Sequence, residues 1–340
     1  MYSFSEFLNK IKVNTPEIDE KKLLAAYEFG KNQHAGQKRS SGDDYFTHPI
    51  EVALILSENH LDGDAIIAAL LHDTLEDTAT SYSEIEQKFG PTVVHLVEGV
   101  TKLTNINFAS ANVGQAENFR KFFVAMSRDI RVLIIKLADR LHNMRTIGFR
   151  PEHKRQKKSL EVMEIFGPLA QRIGMNKIET ELYNTAFAQL YPKEYAEITD
   201  KLQNIRQTSG SVTQDIINEL QDCLNKFGIT CQVCGREKTP HSIWRKMQRK
   251  GISFEQLWDI IAFRIITNNI EDCYKALGAI HANYSMVPGR FKDYISMPKS
   301  NGYRSIHTCV LGPGRRKIEV QIRTQEMNQE SEIGVAAHWR

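Results

Sequence analysis

The spacing of apolar residues changes once along this chain, near residue 200, and that change restricts the folds it can adopt. Up to about residue 195 apolar residues recur every three or four positions, as in amphipathic helices, and the segment 64–77 is a clear example. Farther along, short runs typical of strands alternate with helical stretches, as at 259–267 and 317–322. The sequence therefore predicts a multidomain α and α+β protein, with an all-helical domain over 1–195 followed by a mixed α/β domain over 196–340.

The composition is that of an ordinary globular protein. Hydrophobic residues make up 41% and charged residues 25% of 340 positions, which excludes an intrinsically disordered chain. No uncharged apolar stretch approaches the roughly 20 residues that a membrane helix requires. The N-terminus lacks the long apolar run of a signal peptide, and five cysteines are too few for a disulfide scaffold. We therefore expect a cytoplasmic protein with no membrane partner.

Two segments read as long loops rather than as regular structure. Residues 101–114 are small and polar and lack periodicity, which predicts a mobile loop in the helical half. Residues 286–303 are punctuated by glycine and proline, which predicts a second loop in the mixed half.

The helical half places one histidine and three carboxylates in a single short apolar segment. These residues are His72, Asp73, Glu76 and Asp77. Burying ionisable groups without partners costs several kcal/mol each, and a divalent cation would offset that cost. His48 upstream and Asp139 downstream complete a mixed set of imidazole and carboxylate ligands, which suits Mn, Fe or Zn better than Ca. Each residue alone has a simpler structural interpretation, but together they predict a metal site.

Basic residues are concentrated in two runs, 145–158 and 236–250, each with six lysine or arginine residues and one acidic residue. A solvated helix face is the simpler interpretation, and a phosphate-binding surface is the more specific one. In the mixed half, Asp259 and Glu319 lie in apolar strand-like runs, where two acids can together hold Mg²⁺. The segment 290–308 between them mixes cations with aromatic residues, as expected for stacking a base and neutralising phosphates.

Several of these segments resemble the RelA/SpoT family, whose members make and degrade the alarmone (p)ppGpp. In the helical half, His48, His72-Asp73 and Asp139 match the ordered ligands of the HD phosphohydrolase superfamily. The surrounding segments that are similar to the family's hydrolase domain are 34–39, 71–78, 99–103 and 136–146. In the mixed half, the segments similar to its synthetase domain are 290–308, 319–324 and 334–339.

The resemblance implies a manganese-dependent hydrolase in the first domain. One Mn²⁺ held by the four HD ligands would polarise the 3′-pyrophosphate and bind a water, and Glu76 and Asp77 would activate that water. The residues that would contact the nucleotide are Arg39, Ser41, Asn143 and Thr146. Ser40 stands where the family usually has a basic residue, and this departure concerns the contacts to guanine.

The resemblance also implies a synthetase in the second domain, a nucleotidyltransferase-like fold that transfers pyrophosphate from ATP to the 3′-hydroxyl of GDP or GTP. Asp259 and Glu319 would hold Mg²⁺, and Glu319 would also serve as base. The residues that would bind nucleotides are Arg236, Lys238, Ser242, Lys246, Arg264, Lys292, Lys299, Asn301, Tyr303 and His307. Among them, Arg236 and Arg264 would flank adenine and Tyr303 would stack on guanine.

The quartet 290–293 is the basic form of a family motif that accompanies bifunctional enzymes. The segment 239–241 departs from the family pattern, because Pro240 stands in a turn expected to meet ATP. The two loops, near 101–116 and 286–303, are expected to change order with nucleotide occupancy and so to exclude simultaneous synthesis and hydrolysis.

Other interpretations stay open. The protein could be a hydrolase only, with a silent synthetase domain that acts as a nucleotide-binding regulator, or it could be a nucleotide sensor or nucleic-acid binder without turnover. Ribosome or tRNA partners are expected only if regulatory domains exist beyond residue 340, and a homo-oligomer stays open. Cys231 and Cys234 are not expected to bind zinc, because no second ligand pair follows. The histidines assigned to packing or to helix surfaces are His60, His95, His142 and His281.

Overall fold

A computed structural model describes residues 2–104 and 129–339 of the chain. The backbone contacts divide the chain into two compact units. One unit comprises Met1–Phe166 with Val335–Arg340, and the other comprises Gly167–Gly334. No helix in these described ranges is long and apolar enough to cross a membrane.

The first unit is built from helices. Their bounds are α1 Phe4–Asn14, α2 Glu20–Gln33, α3 Thr47–Glu58, α4 Gly63–Leu71, α5 Thr74–Asp77, α6 Tyr82–Phe89, α7 Pro91–Thr104, α8 Ile130–Arg145 and α9 Glu152–Glu161. The core lies between α3, α4, α7 and α8, and the residues of α4 from 65 to 71 are all buried and apolar. Arg131, at the start of α8, donates to Asp62 at the start of α4 over 2.8 Å. This ion pair joins the beginnings of two helices that carry or lead to residues predicted to bind a metal.

The segment predicted as one helix over 64–77 is broken at His72 and Asp73, between α4 and α5. At this break, side chains form hydrogen bonds to backbone carbonyl oxygens that would accept from backbone N–H groups in a continuous helix. The hydroxyl of Thr74 donates to the carbonyl oxygen of Leu71 over 2.6 Å, and His72 Nδ1 lies 2.8 Å from the carbonyl oxygen of Ala69. Local side-chain bonds of this kind compete with helix continuation, so the prediction of one helix was wrong at this point.

Residues 101–104, predicted as the start of a loop, are helical. Residues up to Thr104 belong to α7, and the hydroxyls of Thr101 and Thr104 bond back to carbonyl oxygens one turn earlier, each over 3.1 Å. The remainder of that predicted loop lies outside the described residues.

The second unit is a mixed sheet with helices. The helices are α10 Gly167–Arg172, α11 Asn176–Leu190, α12 Pro192–Lys226, α13 Pro240–Lys250, α14 Ile270–Asn283 and α15 Gln325–Ile333. The strands are β1 Cys231–Glu237, β2 Ile261–Thr267, β3 Ser285–Met286, β4 Lys292–Asp293, β5 Ile306–Leu311 and β6 Lys317–Thr324. They pair in the order β1-β2-β6-β5-β3, with β4 beside β5. Only β2 and β6 pair in parallel among these strands. A helical unit and a mixed α/β unit confirm the predicted fold class.

The alternation of side chains across the sheet separates a core face from an open face. Phe263 and Ile265 of β2 and Val320 of β6 are buried in the core against α12 and α14. Residues between them in sequence project to the other face, where Ala262 lies opposite Glu319. The charged residues of both strands therefore share the face that is free of the apolar core.

The helices α10 and α11 belong to the second unit, whereas the sequence analysis assigned residues up to 195 to the first domain. The ring of Tyr183 stacks on His241 with ring centroids 4.9 Å apart, and Asn176 donates to the carbonyl oxygen of Ser331 over 2.5 Å. Helical periodicity identifies these segments as helices but does not specify which core they cover.

Candidate functional site

The four residues predicted to bind a metal come together in the first unit. His48 Nε2 lies 3.2 Å from Asp139 Oδ1, and His72 Nε2 lies 3.2 Å from Asp73 Oδ1. One potential ligand atom from each of His48, His72 and Asp139 falls within 4.8 Å of the others. His48 lies near the start of α3, His72 and Asp73 lie at the break between α4 and α5, and Asp139 lies within α8. The break in the predicted helix is therefore where two of the ligands are presented.

The donor atoms fit a divalent cation. Because a carbonyl oxygen only accepts, the contact of His72 Nδ1 with Ala69 places the imidazole proton on Nδ1. His72 Nε2 then carries no proton and has a lone pair available for a metal. This buried atom has no hydrogen-bond partner in the described part of the chain. Burial lowers the pKa of His48, which keeps that imidazole neutral. Burial raises the pKa of Asp139, but Lys136 and His48 outweigh it and hold the pKa well below its usual range. Neutral imidazoles and ionised carboxylates are the forms that bind metals.

Tyr45 joins one predicted ligand to one predicted catalytic acid. Its hydroxyl oxygen lies 2.8 Å from Asp73 Oδ2 and 2.8 Å from Asp77 Oδ2. A hydroxyl carries one proton, so it donates to one carboxylate at a time. Glu76 lies on the same short helix, and partial burial together with the charge of Asp73 raises the pKa of Glu76. The raised pKa makes Glu76 a better proton acceptor than an ordinary carboxylate.

A cavity of about 400 Å³ opens over these groups and is lined by acids and bases together. Its cations are Lys38, Arg39, Lys136, Arg140, Arg150 and Lys158. All four residues predicted to contact a nucleotide line it, namely Arg39, Ser41, Asn143 and Thr146. Arg39 Nη2 donates to Asn143 Oδ1 and to Thr146 Oγ1, each over 3.1 Å. Metal-binding donors beside six cations suit a substrate that carries several phosphates.

Several residues of this site were not in the predicted set. Tyr45 contacts Asp73 and Asp77 from another part of the chain, Lys136 pairs with Asp139 on the same helix, and Arg140 lines the cavity. Arg150 and Lys158 come from the basic run 145–158, so that run was the available signal, and its interpretation as a phosphate-binding surface stays a prediction.

His142 was predicted to be a helix-surface or packing histidine, and the structure buries it against His48. Its Nδ1 lies 2.6 Å from His48 Nδ1, and the two rings stack with centroids 4.9 Å apart. Burial lowers the pKa of His142 to about 3. It lies three residues after Asp139 on α8, which places both on one helix face. The sequence shows that spacing but not the proximity to His48.

In the second unit the two predicted magnesium ligands share one ammonium group. Lys238 Nζ lies 3.2 Å from Asp259 Oδ2 and 3.1 Å from Glu319 Oε2. Lys246 also forms an ion pair with Asp259. The parallel pairing of β2 and β6 accounts for this arrangement, since Asp259 lies just before β2 and Glu319 lies opposite the second residue of β2. The two carboxylates are thus held around a common positive charge.

The two arginines predicted to flank adenine converge on Glu332 of α15. Arg264 Nη1 lies 3.0 Å and Arg236 Nη1 lies 3.8 Å from Glu332 Oε1. The remaining guanidinium nitrogens of Arg264 are buried, and neither has a hydrogen-bond partner among the described residues. Glu332 was not predicted, because nothing in its local sequence indicates a partner on another element.

A cavity of about 240 Å³ in the second unit contains three of the predicted nucleotide-binding residues beside Arg236. These are Lys299, Asn301 and Tyr303. Lys299 Nζ lies 4.6 Å from the centre of the Tyr303 ring, and the Tyr303 hydroxyl lies 2.7 Å from His307 Nε2. The lining residues that were not predicted are Gln171, Asn176, Thr180, Gln321, Arg323 and Ser331.

Six predicted nucleotide-binding residues do not line this cavity, namely Lys238, Ser242, Lys246, Arg264, Lys292 and His307. Ser242 lies in the first turn of α13, where its backbone N–H is capped by Thr239, and Lys292 lies on β4 opposite His307. Their roles stay predictions.

Comparison with known proteins finds one family match in the first part of the chain and a second in the later part. Residues 26–176 match the family profile described as HD domain, and residues 235–340 match the one described as a region found in RelA / SpoT proteins. GTP pyrophosphokinase rsh of Brucella ovis is 49% identical over 333 residues, which cover 98% of this chain and 44% of that protein. Bifunctional (p)ppGpp synthase/hydrolase SpoT of Escherichia coli K12 is 47% identical over 339 residues, which cover 100% of this chain and 48% of that protein.

A solved structure of a metazoan ortholog of SpoT that hydrolyses ppGpp is 27% identical, covers 49% of this chain and 94% of that one, and superposes with a TM-score of 0.37. The chain spans about half the length of the curated relatives it matches.

Proposed function

Because this chain belongs to the RelA/SpoT family, we propose that it is a bifunctional alarmone enzyme. The first unit hydrolyses (p)ppGpp to GDP or GTP and pyrophosphate. The second unit transfers pyrophosphate from ATP to the 3′-hydroxyl of GDP or GTP. The observation that carries the proposal is the convergence of His48, His72, Asp73 and Asp139 beneath a cavity with six cations, where the buried Nε2 of His72 has no hydrogen-bond partner among the described residues.

In the hydrolase, Mn²⁺ would be held by His48, His72, Asp73 and Asp139. When bound, the ion supplies Lewis acidity and lowers the pKa of water. Glu76 takes the proton from the attacking water, since its pKa is raised and it lies in the same cavity. Asp77 is held by Tyr45 at the same edge and supports this proton transfer.

The cationic wall of the hydrolase cavity binds the phosphates and orients the nucleotide. Arg39 is held by Asn143 and Thr146, so its guanidinium is fixed before substrate enters. Fixed cations stabilise the charge that develops on a departing phosphate without reorganising during the reaction.

In the synthetase, Asp259 and Glu319 would hold Mg²⁺. The shared ammonium of Lys238 supports this assignment, because the two carboxylates are already spaced to surround one positive charge. Glu319 accepts the proton of the 3′-hydroxyl, Arg236 and Arg264 flank adenine, and Tyr303 stacks on guanine. Positioning and charge neutralisation account for most of the catalysis in such transfers.

The two opposed activities require reciprocal control in a cytoplasmic enzyme. We expect the segments near 101–116 and 286–303 to change their hydrogen-exchange protection between GDP with an ATP analogue and ppGpp. Unchanged protection in both segments would refute this mode of control. Ribosome or tRNA contacts and a homo-oligomer stay predictions.

Product analysis of the purified chain tests the proposed function. ATP plus GDP under Mg²⁺ should yield ppGpp, and ppGpp under Mn²⁺ should yield GDP and pyrophosphate. Asp139→Asn should abolish hydrolysis and spare synthesis, while Asp259→Asn should do the reverse, so each variant is the control for the other. Equal low synthesis by wild type and Asp259→Asn would favour the alternative of a hydrolase with a silent, nucleotide-binding second unit. Absence of both products would refute the proposal.

A further inference from the structure

The predicted metal ligand His48 has a second imidazole directly behind it. His48 Nε2 faces the carboxylates, at 3.2 Å from Asp139 Oδ1 and 3.8 Å from Asp73 Oδ2. Its other ring nitrogen, Nδ1, lies 2.6 Å from Nδ1 of His142. Both rings are buried. Any role of His142 toward the metal therefore passes through His48.

The positions of the protons follow from this geometry. If His48 Nε2 binds a cation, the proton of the neutral ring must be on Nδ1. Two ring nitrogens 2.6 Å apart require one donor and one acceptor, so His142 Nδ1 accepts and the proton of His142 is on its own Nε2. The opposite arrangement would place the His48 proton on Nε2 and block metal binding.

The two histidine ligands are held in different ways. His72 Nδ1 donates to the backbone carbonyl oxygen of Ala69. A substitution at position 69 changes the side chain and leaves this carbonyl oxygen in place. His48 depends on a side chain, because His142 is the hydrogen-bond partner that the described structure gives its Nδ1. His142 shares helix α8 with Asp139, so one rigid helix carries a ligand and the partner of another ligand.

We propose that His142 is a positioning residue that fixes the tautomer and ring orientation of His48 for binding the metal. The inference rests on the proposed metal site of the hydrolase. Groups that orient a histidine ligand through its second nitrogen set the metal affinity, and their loss typically weakens binding roughly 10- to 100-fold.

Two substitutions at position 142 separate the hydrogen bond from the packing. His142→Asn places an amide oxygen near the position of Nδ1 and retains an acceptor, whereas His142→Leu fills similar space without one. His153→Leu is the control, since His153 is an exposed histidine of α9 in the same unit. Mn²⁺ affinity of each 340-residue protein is measured by electron paramagnetic resonance of the free ion, and thermal unfolding without metal checks that each variant folds.

We expect His142→Leu to lose roughly 10- to 100-fold in Mn²⁺ affinity, while His142→Asn and His153→Leu stay close to wild type. Long-range ¹H–¹⁵N spectra of the Zn²⁺-loaded wild type should show His48 protonated on Nδ1 and His142 on Nε2. A folded His142→Leu with wild-type affinity, or His142 protonated on Nδ1, would overturn the inference while leaving the metal site intact. A wild type that binds no Mn²⁺ would overturn the metal site itself and the inference with it.

Discussion

Removing the ammonium group of Lys136 should destabilise the first unit strongly and make its stability depend on metal. Lys136 Nζ lies 2.7 Å from Asp139 Oδ2, and the two side chains are only 6% and 7% exposed. Lys136→Met keeps most of the buried stem and leaves the Asp139 charge without its ion-pair partner. Removing one partner of a buried pair costs about 3–5 kcal/mol. We expect the lower end, about 3 kcal/mol, because Asn143 and His48 still contact Asp139.

The assay must report on the first unit alone. None of the three tryptophans lies within helices α1 to α9, and two of them, Trp244 and Trp258, belong to the second unit, so tryptophan fluorescence does not isolate the first unit. Hydrogen exchange of the α8 amides, read on peptides from 130–145, measures the opening free energy where the pair lies. Mn²⁺ should recover much of the loss in Lys136→Met, because a bound cation again neutralises Asp139.

Lys102→Met is the matched control. Lys102 pairs with Glu98 on the surface of α7 at 2.8 Å and is 61% exposed, so its loss should cost no more than about 1 kcal/mol. A loss in Lys136→Met as small as in the control would refute the reasoning.

The pH dependence follows from the same pair. The pKa of Asp139 in the folded state lies well below its usual range, so the pair contributes fully above the unfolded pKa of about 4 and loses its contribution as pH falls through the folded value. The comparison should therefore be made at neutral pH, and the difference between wild type and Lys136→Met should shrink in acid.

Three further predictions concern the second unit. Glu332→Gln should raise the KM for ATP roughly tenfold and leave that for GDP unchanged, because it weakens the contact that holds Arg264; equal changes in both KM values would contradict this. Gly334→Ala should lower the melting temperature far more than Gly289→Ala. Both glycines have positive φ, but of the two only Gly334 has backbone atoms 2.4 Å from the position of an added Cβ. Similar losses in the two variants would contradict this. Burial raises the pKa of Glu179 to about 7, so ionisation of this carboxyl destabilises the fold as pH rises from about 4 through 7. Glu179→Gln should therefore raise the melting temperature at pH 8 but not at pH 4. A variant with the same gain at both pH values would refute the last.

The residues of the candidate metal site could be singled out from the sequence because their chemistry is visible locally. A histidine and three carboxylates within six positions of an apolar segment are costly to bury, and this cost indicates a cation whatever the surrounding fold. The same local analysis failed where two side chains bond to backbone carbonyl oxygens that a continuous helix would use. The hydrogen bonds of His72 and Thr74 end α4 at Leu71, and hydrophobic periodicity carries no information on such bonds.

The side chains that support these groups could not be predicted, because their partners come from distant parts of the chain. His142 has the sequence context of a helix-packing residue, and it acquires a role only because α3 places His48 beside it. Glu332 likewise meets Arg236 and Arg264 only when α15 lies against the open face of the sheet. Sequence spacing predicts neighbours within one element and not between elements.

By itself the sequence determined the two kinds of structure, the ligand types and the charge that each unit must accommodate, since these depend on residue type and short-range spacing. The tertiary structure decided which core α10 and α11 cover, where the helix before Asp73 breaks and which groups contact the predicted ligands. Those features depend on contacts between segments far apart in the chain, and no local pattern of apolar and charged residues encodes them.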